Sequence, residues 1–186
     1  MSNLKEEAVA LYRAGKYAEA FPKYLTLSEQ GDVQSQIIVG QMYEEGLGVQ
    51  QNLGQARHWY EAAADRNSLE AQHRLGYLFY QANDWTNAFT WYQRAASRDY
   101  LPALWRLAWL YKQGKGVAVD QNKAYSLLER AAKSGHIFSK RDLAIMLLKG
   151  RQGFLRILKG IGLLGQCILD SIRILSRSSS DERTRI

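Results

Sequence analysis

Val39-Gly-Gln-Met-Tyr-Glu-Glu-Gly-Leu-Gly-Val49 returns 68 residues further on as Leu107-Ala-Trp-Leu-Tyr-Lys-Gln-Gly-Lys-Gly-Val117. The same offset pairs Tyr12-Arg-Ala-Gly-Lys-Tyr-Ala-Glu-Ala-Phe21 with Tyr80-Gln-Ala-Asn-Asp-Trp-Thr-Asn-Ala-Phe89. It divides into 36 and 32. Ala56 answers to Ala88 and Ala124, Trp59-Tyr60 to Trp91-Tyr92 and Leu127-Leu128, and Ala63-Ala64 to Ala95-Ala96 and Ala131-Ala132. A period of this size marks stacked supersecondary units, none of which can bury its apolar face alone.

Each unit reads as two helices. Val39, Met42 and Tyr43, like Leu75, Leu78 and Phe79, fall at helical spacing. Ser68 with Glu70, Asp84, Asp99 and Asp120 stand just ahead of periodic runs, where N-caps belong. The paired alanines let neighbouring helices approach closely. Helix pairs are expected at 3–30, 32–66, 68–98 and 99–134, followed by a first helix at 136–149. Pro22 falls inside a second helix, which is expected to bend or start late. Trp59 and Trp91 recur in register on second helices and are expected to pack.

Tyr43-Glu-Glu-Gly-Leu-Gly-Val-Gln-Gln-Asn-Leu-Gly-Gln-Ala-Arg-His-Trp-Tyr-Glu-Ala-Ala63 resembles the Sel-one-like repeat, a relative of the tetratricopeptide repeat, and Tyr111-Lys-Gln-Gly-Lys-Gly-Val-Ala-Val-Asp-Gln-Asn-Lys-Ala124 matches it again. The resemblance covers about residues 4–150 and implies an all-α, right-handed superhelical solenoid with a Gly-x-Gly-Val turn between its helices. It also implies a non-enzymatic adaptor in a bacterial multiprotein assembly, at the envelope or beside surface-polysaccharide synthesis. In such a fold the first helices line the concave face. Taken by offset, its inward positions are Tyr12; Ile37, Gln41 and Glu44; His73, Tyr77 and Tyr80; Trp105, Trp109 and Lys112; Arg141 and Ile145. A protein partner or extended peptide is expected there, because aromatic and Arg side chains dominate binding hot spots. Trp105 and Trp109 divide between groove and core.

The chain has 186 residues, of which 46% are hydrophobic, enough for a core, and only two are prolines. One cysteine, Cys167, excludes a disulfide framework and a multi-cysteine zinc site; among Leu, Ile and Gly it reads as a small apolar residue. Gly46-Leu-Gly48 and Gly114-Lys-Gly116 follow no strand and read as turns, not phosphate loops. His58, His73 and His136 fall in different units without nearby ligand partners. No nucleophile–base set assembles, so neither catalysis, cofactor nor metal is expected. The alternative is a glycan- or peptidoglycan-fragment binder or hydrolase, since aromatic bands also stack on sugars. Hydrolysis would need a carboxylate pair about 5–10 Å apart.

The net charge of +7 is uneven. Residues 1–148 carry 17 basic and 15 acidic side chains, whereas 149–186 carry eight and three. The near-neutral body argues against nucleic acid. From Phe154 to Leu175, 13 of 22 residues are apolar and follow helical spacing. Two roles compete for this amphipathic helix, over 151–176: a cap that closes the solenoid, or a seat on an anionic membrane. The contact residues in either case are Phe154, Arg156, Ile157, Lys159, Ile161, Ile168, Ile172 and Arg173. Its longest uncharged run, Gly160 to Leu169, is ten residues, too short to span a bilayer. Residues 177–186 are expected to be a disordered tail. No positive stretch precedes an apolar one near Met1, so a cytoplasmic location is expected, peripheral on the inner membrane if the helix seats there.

Overall fold

The computed structural model describes the backbone of residues 2–149 and 154–183 and the side chains of 3–148 and 158–174. The described residues form helices and turns, with no strand, in two compact units, Met1–Tyr100 and Leu101–Ile186.

The first unit holds three helix pairs: α1 (Ser2–Arg13) with α2 (Tyr17–Glu29), α3 (Val33–Glu45) with α4 (Leu53–Asp65), and α5 (Leu69–Gln81) with α6 (Trp85–Ala96). Within the unit each helix packs on the one before it. The starts are capped locally. Asp32, Asn52, Ser68 and Asp84 accept the backbone N–H of Ser35, Gln55, Ala71 and Asn87 at 2.7, 3.0, 3.2 and 3.1 Å. The helices approach closely because glycine faces tyrosine. A Cβ at Gly40 would lie 2.5 Å from the Tyr60 ring, and one at Gly76 2.6 Å from the Tyr92 ring. Both rings are fully buried, above the alanine pairs Ala63–Ala64 and Ala95–Ala96. Trp59 and Trp91 pack partly buried against these cores, as their recurrence predicts.

Two expectations need correction. Pro22 lies inside α2, yet α2 begins at Tyr17, the counterpart of Trp85 where α6 begins, so the helix does not start late. Asp99 is no N-cap. It has φ +61°, like Asn67 at +61° and Gly135 at +89° in the equivalent turns, and α7 begins only at Leu101. The reversal between units needs a left-handed residue, and short polar side chains tolerate it.

The second unit contains α7 (Leu101–Gln113), α8 (Gln121–Lys133), α9 (Ile137–Lys149) and α10 (Phe154–Arg183). Asp120 caps α8 through the Lys123 N–H at 2.9 Å. The Gly-x-Gly pieces are turns: Gly46, Gly48, Gly114 and Gly116 all have φ between +69° and +72°. Gly48 also lies on the first turn of α2, where a Cβ would come within 2.3 Å of the Tyr17 backbone.

Helix α10 packs along α9. Gly160 is buried there, with Leu148, Leu147 and the Ala144 carbonyl 3.1–3.3 Å from where its Cβ would stand. The Cys167 thiol points to the Ile137 carbonyl at 3.6 Å, Lys140 pairs with Asp170 at 2.5 Å, and Lys159 reaches Glu129 of α8 at 3.2 Å. The backbone is helical through Arg183, beyond residue 177 where disorder is expected from the sequence. No Gly or Pro interrupts the chain between Gly165 and that point. Residues 184–186 lie outside the described ones.

Candidate interaction faces of the first helices

In the first unit, α1, α3 and α5 present a polar and aromatic surface. Tyr12 is half-buried, edge-on to Tyr17 and Tyr24 at 5.1 and 5.9 Å. Gln41 donates its amide to Glu45 at 2.9 Å. His73 lies between the rings of Tyr92 and Tyr100, 5.5 and 5.6 Å away. Tyr77 and Tyr80 stack at 6.4 Å, and Tyr80 meets Trp85 edge-on at 5.1 Å.

Ile37 and Glu44 do not belong to this surface. Ile37 is 3% exposed and sits in the core. Glu44 is 9% exposed; its carboxylate accepts the Tyr60 hydroxyl at 2.6 Å, with the Arg74 guanidinium 3.9 Å away. Burial and the hydrogen bond to Glu44 push the Tyr60 phenol far above its ordinary pKa. The node locks α4 to α3 with a neutral phenol and a paired carboxylate, a structural arrangement without a free base.

In the second unit the surface centres on Trp105. Its indole N–H donates to Asp142 at 2.7 Å, and its ring lies 5.6 Å from Phe138 and 6.3 Å from His136. The Arg106 guanidinium stands 4.7 Å from the Trp105 centroid, and that of Arg141 5.6 Å from Phe138. Phe138 remains 53% exposed and Arg141 is exposed as well. Trp109 is half-buried under the ammonium of Lys115 at 5.4 Å, and Lys112 and Ile145 are half-buried. Trp105 and Trp109 are thus neither core nor fully open. Both are half-buried, and each carries a cation over its ring.

Sequence reasoning missed Phe138 and named His136 only as a histidine without ligand partners. By offset, Phe138 answers to Glu70 and Pro102, so a large aromatic in that first turn was a readable departure. Burial holds the His136 pKa below its ordinary value, with Asp142 opposing. Among the described residues no cluster of His, Cys, Asp or Glu could hold a metal ion.

The turn geometry and pairing match a known repeat. The Sel1 repeat family matches residues 33–68, 69–100 and 101–136, more than half of the chain. The chain belongs to the Sel1 repeat family. The three Sel1 repeats correspond to α3–α4, α5–α6 and α7–α8, while α1–α2 and α9–α10 lie outside the matches. A Sel1 repeat protein from Oxalobacter formigenes is 29% identical, with a TM-score of 0.68 over 77% of this chain and 61% of that one. The uropathogenic Escherichia coli antigen c5321, which displays an SLR fold, is 25% identical, with a TM-score of 0.74 over 83% of this chain and 34% of that one. The rat DAP3-binding cell death enhancer 1 is 47% identical over 58 residues, 31% of this chain and 11% of that protein. The chain spans about a tenth of the length of the curated relatives it matches. These likenesses give the all-α repeat-solenoid class.

Proposed function

We propose that the chain is a non-enzymatic scaffold that binds a protein segment on the faces of its first helices, in an assembly at the inner face of a bacterial membrane. The observation that carries this reading is the Trp105–Phe138–His136 cluster, where a half-exposed aromatic ring stands between the guanidinium of Arg141 and the face of Trp105. Aromatic and Arg groups so placed anchor a partner by burial, and the half-buried polar groups around them select it. Membership of the Sel1 repeat family supports the general role, as does a relative whose name records binding of another protein. The assembly and its place in the cell rest on the family resemblance alone.

The test compares the full chain with Phe138→Ala and Arg141→Glu in recovery of proteins from the source cells, each bound protein quantified. Both side chains are exposed, so the fold stays intact. The reading predicts that one or a few proteins bound by the parent fall roughly tenfold in each variant. Equal recovery by all three chains contradicts it. So does selective binding of glycan or peptidoglycan fragments that is lost in Phe138→Ala, which would install the sugar-binding alternative.

A further inference from the structure

The packing of α10 leaves a second apolar face unused. Gly160, Leu163, Cys167 and Asp170 turn toward α8 and α9, which fixes the rotation of the helix. Leu158, Ile161, Ile168, Leu169 and Ile172 then lie on the opposite side, each between 46% and 62% exposed. They recur at helical spacing over 15 residues, a stripe about 21 Å long. Isolated exposed aliphatics are ordinary, but an aligned row marks a contact surface.

Charge selects the occupant. Asp170 is the sole acid between Phe154 and Ser180, and it is paired with Lys140 on the packed side, which holds its carboxyl below the usual range. Arg173 borders the stripe, whereas Lys159 turns to the packed side and pairs with Glu129 of α8, and residues 149–186 carry eight basic against three acidic side chains. A second copy on this face would bring two basic helices together. An anionic phospholipid surface complements both the apolar row and the charge. No described helix is long and apolar enough to cross a membrane.

We infer that α10 has two working faces: one packs on α9, and the other, through Leu158, Ile161, Ile168, Leu169 and Ile172, lies on an anionic phospholipid surface. This surface is independent of what the first helices bind. Helix α10 runs in the plane of the headgroups, with its aliphatic side chains below and Arg173 level with the phosphates.

The test is co-sedimentation of the full chain with vesicles of phosphatidylcholine alone or with about a third phosphatidylglycerol, at low and high salt. The variant Ile168→Ser/Ile172→Ser runs beside it, with circular dichroism to establish that it stays folded. The expected result is binding to the anionic vesicles only, weaker in high salt, and reduced roughly tenfold or more in the variant. Absence of binding at low salt overturns the inference, as does equal binding by the variant. A concentration-dependent dimer in analytical ultracentrifugation, abolished by the variant while vesicles stay bare, overturns it in favour of a second copy.

Discussion

Gly40 and Gly76 are held to glycine by one neighbour each, the ring of Tyr60 and the ring of Tyr92. Where the second-helix tyrosine is replaced by the smaller Leu128, the first-helix position carries Ala108. Gly40→Ala and Gly76→Ala should therefore cost about 1–3 kcal/mol in urea denaturation despite the better helix propensity of alanine, because neither ring has room to move. Tyr60→Phe should cost a similar amount, about 1–3 kcal/mol, by leaving the Glu44 carboxylate buried with only the distant Arg74. Neither Ile37 nor Glu44 could be placed from the sequence. Helix α3 buries the polar Ser35, Gln36 and Glu44 beside Ile37, Val39, Gly40 and Met42, so its packed side is not apolar enough to set the phase from the sequence. Tyr77, Tyr80 and Trp105 are half-buried and Arg141 is exposed where the offset places them, so their accessibility, and not a partner's use of them, was legible.

Helix α9 has an unusual cap. The Nδ1 of His136 accepts from the Ser139 N–H at 3.3 Å and lies 2.8 Å from the Ser139 hydroxyl, where other helices use Asp, Asn or Ser. Capping needs this nitrogen unprotonated, in agreement with a pKa that burial lowers. Above about pH 6.5 both folded and unfolded chains carry neutral His136 and the contribution is complete. As pH falls below that value the unfolded chain takes up the proton first, so stability is lost progressively. Thermal melting should fall across this range in the parent and less steeply in His136→Asn, which caps without titrating; identical slopes would contradict the assignment. On α10, Gly162 and Gly165 are exposed and a Cβ at either meets nothing within 4 Å. Gly162→Ala and Gly165→Ala should each stabilise the helix by about 1 kcal/mol, seen as greater helicity and a higher denaturation midpoint. That α10 continues to Arg183 was not legible, since a Ser- and Arg-rich stretch reads as solvated chain when its helical propagation from an apolar segment is ignored.

Across the whole molecule, the architecture was the most legible feature, because a repeat fixes many positions at once. Offsets of 36 and 32 align the Tyr60–Tyr92–Leu128 positions, the alanine pairs and the glycine turns, and the structure places all of them in equivalent surroundings within their units. Function is less legible for the same reason: the repeat encodes packing, and a partner is read by departures from it. Phe138, standing where the other units have Glu70 and Pro102, is such a departure. The central claim is that binding is carried by this departure and its neighbours. The most direct measurement replaces Phe138 with a photo-crosslinking phenylalanine in the source cells, with Val119, exposed on the turn between α7 and α8, as the control position. The account predicts a discrete adduct to one protein from position 138 and none from position 119. The same adducts from both positions, or none from 138 while the chain is folded and expressed, would contradict it.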